Sequence, residues 1–166
     1  MTLTAYYYLV YIWVMITTNW KGQLAVSKTE THAAELGLVP CRPLMDCRYD
    51  VIIDDGNKLW RVQVKYANRM SPNSVGAVAV NLAYETRRRR HVYTYSDDEV
   101  DALVVYIPKI DKLCWFPCET FVGKKELSIR LKPPLNGQKN KIIYARDYFW
   151  WFCSKIVFAF IANVGL

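Results

Sequence analysis

The chain has 166 residues, 52% hydrophobic and 22% charged, with Gly 7 and Pro 7, enough for one domain with a full core and incompatible with a disordered, collagen-like or low-complexity polymer. Lys+Arg 22 against Asp+Glu 15 leaves +7 at pH 7, a balance that suits a polyanionic partner, either nucleic acid or an anionic membrane surface. The five cysteines, at positions 41, 47, 114, 118 and 153, are odd in number and scattered, which points to a reducing, intracellular setting (cytoplasmic or nucleoid-associated) rather than a disulfide-stapled secreted domain.

Residues 1–18 read as an apolar N-terminal extension, since the first 19 residues carry no charged side chain. A signal peptide would need a basic start and a small-residue cleavage site, and a spanning helix would need ~20 apolar residues. Membrane contact is therefore not expected. The segment either packs on the C-terminal tail or a partner, or lies upstream of a natural start at Met15. One domain follows over 19–150. Thr18 or Asn19 can cap a helix running to about Leu36, closed by Gly37, with Trp20, Leu24, Ser27, Thr31 and Ala34 as its inward stripe. Strands are expected at 39–44, 49–54, 59–65, 75–83, 102–107, 112–116 and 126–131, interrupted by the basic run Arg87-Arg88-Arg89-Arg90. The linker Pro133-Pro134-Leu135-Asn136-Gly137 leads to a final helix from about Tyr144, and 151–166 is an apolar C-terminal tail. The order predicts an α/β domain with a mixed central sheet flanked by helices.

The segment from Arg48 to Lys65 is a hairpin with a definable register. Closing it at Gly56-Asn57, or through the loop 55–58, makes opposed residue numbers sum to 113. Tyr49 then faces Val64, Val51 faces Val62 and Ile53 faces Trp60, giving one apolar face, whereas a turn at Asp55-Gly56 sets Ile53 against Lys58. Alternation puts Asp50 across from Gln63 and Arg48 across from Lys65 on the other face. A carboxylate, an amide oxygen and the Val64 carbonyl can hold a hard divalent cation such as Mg²⁺. Lys65 can then orient water and offset charge on a reacting phosphate. The competing reading is the polar, solvent-facing side of an ordinary hairpin. Zinc is a poor fit, because C-x5-C and C-x3-C depart from the usual ligand spacing.

Lys21-Gly22-x-x-Ala25 opening a helix, Gly37 closing it, Arg48-Tyr49-Asp50, and Asp55-Gly56-Asn57-Lys58-Leu59-Trp60-Arg61-Val62-Gln63-Val64-Lys65 together resemble the PD-(D/E)XK endonucleases associated with group I introns. Fainter likeness continues through Tyr95 to Asp101 and Val105-Tyr106-Ile107-Pro108. The resemblance implies a restriction-endonuclease-like core and metal-dependent cleavage of double-stranded DNA, with Asp50, Gln63 and Lys65 catalytic and Asp50, Gln63 and the Val64 carbonyl on the metal. Two positions depart from it. Tyr49 stands where the wider superfamily has Pro, and Val26 stands where a helix glutamate is expected. Glu30, one turn on, could replace that ligand.

Four consecutive arginines suit phosphate binding, and Arg61, Arg69, Lys124 and Lys125 could extend the same surface. The leading expectation is thus an intron-associated (homing) endonuclease. Alternatives are a junction-resolving or repair nuclease, a DNA-binding protein impaired in catalysis by Val26, and a membrane-anchored basic protein. Cutting both strands calls for a homo-oligomer, a dimer or tetramer.

Overall fold

A computed structural model of the chain describes residues 18–72, 74–85, 92–134 and 142–150. Of the predicted terminal segments 1–18 and 151–166, residues 1–17 and 151–166 lie outside these, as do Arg87, Arg88, Arg89 and Arg90. Helix α1 (Thr18–Glu35) ends in a Schellman arrangement. Leu38 N–H bonds the Ala33 carbonyl at 2.9 Å and Gly37 N–H bonds that of Ala34 at 3.0 Å. Gly37 sits at φ +76°, a conformation that a Cβ disfavours. Among the described residues no helix is long and apolar enough to cross a membrane.

Five strands form the main sheet in the order β1 (Val39–Cys41), β2 (Val51–Asp54), β3 (Leu59–Tyr66), β7 (Ala102–Ile107), β8 (Lys112–Pro117). Only β3 and β7 are parallel. The crossover between them carries β4 (Ala77–Asn81), β5 (Tyr84–Glu85) and β6 (Val92–Tyr93). β4 pairs with β9 (Glu126–Arg130) and β5 pairs with β6. Every β7 residue is buried, because both faces of the sheet are covered, and its unbroken apolar run Ala-Leu-Val-Val-Tyr-Ile reflects that. On one face Val51, Ile53, Val62, Val64, Val104 and Tyr106 pack against Ala25, Val26 and Ala33 of α1. On the other, Leu103, Val105 and Phe116 pack with Val78, Val80, Leu127 and Ile129 of the β4–β9 pair.

The mixed sheet and the hairpin register agree with expectation. Val51 pairs with Val62, Ile53 with Trp60, and Asp54 with Leu59, so the loop is the four-residue 55–58. Asp55 closes it by accepting from the Asn57 and Lys58 amides and from Trp60 Nε1 at 2.7 Å.

Four expectations need correcting. The helix stripe faces the wrong way: Trp20 and Leu24 are 67% and 46% exposed, and Ser27, Thr31 and Ala34 are also exposed. Small residues Ala25, Thr29 and Ala33 meet the sheet instead, since they let the helix backbone approach closely. Tyr49 packs in the β4–β9 cluster rather than beside Val51. The cause is local: Asp50 N–H bonds the carbonyl of Val62, the residue already paired with Val51, and a one-residue offset sends the next side chain to the opposite face. Four strands are shorter than expected, β1, β2, β4 and, by one residue, β9, with Leu44 wholly exposed beyond β1. The described part of the final helix is a single 3₁₀ turn, Ala145–Tyr148.

Asp101 ties the crossover to the hairpin. It accepts from Arg61 N–H at 2.8 Å, Arg61 Nε at 2.9 Å and Lys58 Nζ at 3.0 Å. Burial disfavours its charge, but the Arg61 side chain and backbone together with Lys58 outweigh this and hold its carboxyl down at about 2. A depressed carboxyl contributes stability that is present above its ordinary value of 3.8 and is lost as pH falls through 2. Asp101→Asn should therefore lower unfolding free energy at pH 7 by about 2 kcal/mol and flatten the acid limb below pH 4, as urea unfolding across pH would show.

Candidate active site

Asp50, at the mouth of β2, is half-buried and fixed by β3. Its Oδ2 accepts Val64 N–H at 2.8 Å and also a hydrogen bond from Gln63 Nε2. The same amide nitrogen lies 3.3 Å from the Val64 carbonyl oxygen. Gln63 is 7% exposed, so these contacts form away from water, which rules out the solvent-facing reading for this residue. Lys65 follows two residues later on the same side of β3. Its Nζ lies 5.5 Å from the ring centroid of Tyr95, which is buried against Phe121. Burial pushes the Asp50 carboxyl above the usual carboxylate range, more than the Val64 amide, the Lys65 charge and the Gln63 bond together bring it down. A carboxylate that is costly to ionise by itself gains most from a neighbouring cation.

The donor set is chemically hard: carboxylate oxygen, amide and backbone carbonyl, as a Mg²⁺-like ion prefers. Among the described residues no group of three or more His, Cys, Asp or Glu is gathered. Val26 is buried in the apolar cluster with Val62 and Val64. Glu30 is held by Arg42, whose Nη2 donates at 2.6 Å and whose Nε donates to the other carboxylate oxygen. Arg42 also reaches Gln23 Oε1 at 3.1 Å. Cys114 is buried, and burial pushes its thiol up to about 12, which suits a core residue better than a metal ligand.

The basic residues divide. Arg61 is engaged by Asp101 and by the carbonyls of Asp97 and Asp98. Arg69 pairs with Glu126, and Arg48 pairs with Glu99 at 3.1 Å rather than standing beside Lys65 alone. Lys124 and Lys125 are exposed, with Lys124 Nζ donating to the Thr120 carbonyl at 2.5 Å. Residues 86–91, which include the four arginines, link β5 to β6. Tyr95 under Lys65 and Arg42 over Glu30 escaped sequence reasoning, because each pair joins distant segments with no local pattern. A cavity of about 350 Å³ between α1 and β8, bordered by Lys28, His32, Tyr106, Asp111 and Trp150, contains none of Asp50, Gln63 and Lys65.

The PD-(D/E)XK endonuclease family model matches residues 16–150. The chain belongs to that family. A bacterial homing endonuclease, I-Ssp6803I, shares its fold with a TM-score of 0.69 at 22% identity, over 90% of this chain and 99% of that one. A Holliday junction resolvase from the archaeon Archaeoglobus fulgidus aligns more loosely, with a TM-score of 0.42 at 12% identity over 66% of this chain and 84% of that one. No curated protein matches significantly. The family and the restriction-endonuclease-like core are as the Arg-Tyr-Asp and Gln-Val-Lys blocks implied.

Proposed function

We propose that this family member is a divalent-metal-dependent endonuclease acting on double-stranded DNA, of the intron-associated type that its sequence blocks resemble. The observation that carries the reading is the convergence of the Asp50 carboxylate, the Gln63 amide and the Val64 backbone within hydrogen-bonding distance of one another, with Lys65 beside them. Asp50, Gln63 and the Val64 carbonyl would hold Mg²⁺, which supplies Lewis acidity toward a phosphoryl oxygen and water. Asp50 is held by the Val64 backbone N–H as well as by Gln63, so its oxygen is pre-positioned. Lys65, braced over the Tyr95 ring, brings an ammonium to the phosphate and offsets the charge that develops there.

The net +7 charge, the Arg87–Arg90 run and the exposed Lys124 and Lys125 support a DNA partner. Arg61 and Arg69 contribute less to this, being neutralised by Asp101 and Glu126. Because one site cuts one strand, we place the active form as a symmetric homo-oligomer. The burial of Val26 and the commitment of Glu30 to Arg42 favour one second reading, a DNA-binding protein with weakened catalysis. Incubating supercoiled plasmid with the protein separates the two: linear product with Mg²⁺ and none with EDTA supports the nuclease. Retarded but uncut DNA supports the second reading, and neither binding nor cutting overturns both.

Glu30 tests the composition of the site. Committed to Arg42, it stands outside the proposed ligand set. Glu30→Gln should leave cleavage within about twofold while lowering stability by ~1 kcal/mol through loss of a charge-assisted pair. Loss of Mg²⁺-dependent cutting in a folded Glu30→Gln protein would instead make Glu30 a ligand.

A further inference from the structure

The ion-binding reading asks Gln63 to present its amide oxygen, yet the structure presents its nitrogen. Nε2 donates to Asp50 Oδ2 and lies 3.3 Å from the Val64 carbonyl oxygen. Both neighbours are acceptors. An amide oxygen at that point would face two lone-pair-bearing oxygens, whereas NH₂ carries one hydrogen for each. The chemistry of the surroundings therefore fixes which way the amide points. Gln63 is 7% exposed, so little water is at hand to satisfy Asp50 and the carbonyl if the nitrogen leaves.

We propose that Gln63 is a swivel that stands in for the cation. In the ion-free protein its NH₂ bridges Asp50 and the Val64 carbonyl. When Mg²⁺ enters, the amide turns over and directs Oε1 at the ion. The inference rests on the ion site proposed above. The terminal torsion of Gln is broad and two-fold, and Asp50 stays held by Val64 N–H at 2.8 Å, so the turn needs no backbone movement. A glutamate at 63 could not do this, because two carboxylates would face each other until an ion arrived. The amide thus gives up charge, and with it ion affinity, for a site whose polar groups are satisfied without metal.

Side-chain ¹⁵N–¹H NMR of the full chain, titrated with MgCl₂ and separately with CaCl₂, tests this without reference to activity. The Gln63 NH₂ protons should exchange slowly in EDTA, then shift and exchange faster as the ion binds, while other buried amides stay unchanged. A second readout is thermal unfolding of Gln63→Glu. It should melt below the native chain in EDTA and bind Mg²⁺ about tenfold more tightly. If Mg²⁺ binds, as judged by its loss in Asp50→Asn, and the Gln63 NH₂ signals do not move, the swivel is wrong and the ion site stands. If calorimetry finds no Mg²⁺ binding to the native chain, the ion site fails and the swivel with it. Should Gln63→Glu not fold, the native-chain titration decides alone.

Discussion

Asp50→Ala and Lys65→Ala should each lower Mg²⁺-dependent plasmid cleavage by ~10³-fold or more, while duplex affinity stays within about an order of magnitude. The asymmetry follows from where the two properties reside. In the proposed site, cleavage would depend on a carboxylate fixed by Val64 N–H at 2.8 Å and on an ammonium braced by Tyr95. Affinity for a duplex would instead rest on phosphate contacts spread over a basic surface. Asp50→Ala also strands the Gln63 amide and the Val64 N–H, a cost to folding of about 1–3 kcal/mol. Asp50→Asn is the control that keeps shape while removing charge. Single-turnover cleavage and gel retardation of the same preparations give both quantities. Native-like cutting by either alanine variant would place the chemistry elsewhere, and a parallel collapse of binding would mean that the residue serves the fold or the interface.

Replacing Arg88 and Arg89 together by Ala should weaken duplex binding by ~10–100-fold at moderate salt and flatten the dependence of log K on log salt by roughly 1.8, since each phosphate that is no longer neutralised removes about 0.9 from the slope. The two residues belong to the six that join β5 and β6. The strands that they join pair Tyr84 with Tyr93 and Glu85 with Val92, and Val92 and Tyr93 are 44% and 40% exposed. The cleavage chemistry is remote in sequence, so the rate at saturating DNA should change far less than the affinity. Fluorescence anisotropy from low to high salt measures the slope. An unchanged slope would remove the run from the DNA interface and leave Lys124 and Lys125 as the basic residues to test.

What the sequence determined by itself was local and periodic. The 113 register of the hairpin could be read because only one alignment sets Val51 on Val62 and Ile53 on Trp60. The end of α1 could be read because Gly37 alone supplies the left-handed residue needed there. The Arg-Tyr-Asp and Gln-Val-Lys blocks could be read because chemistry and spacing coincide within eighteen residues, and they pointed to the family. Tertiary structure decided the rest. It chose which face of α1 is buried, because close packing on the sheet favoured Ala25 and Ala33 over Trp20 and Leu24. It sent Tyr49 to the far face through a backbone offset at Asp50 that no side-chain pattern encodes. It committed Glu30 to Arg42 and Arg61 to Asp101, pairings between segments 12 and 40 residues apart. A charge in a sequence declares what it could bind; only folding decides whether its partner is another part of the chain or is left for a ligand.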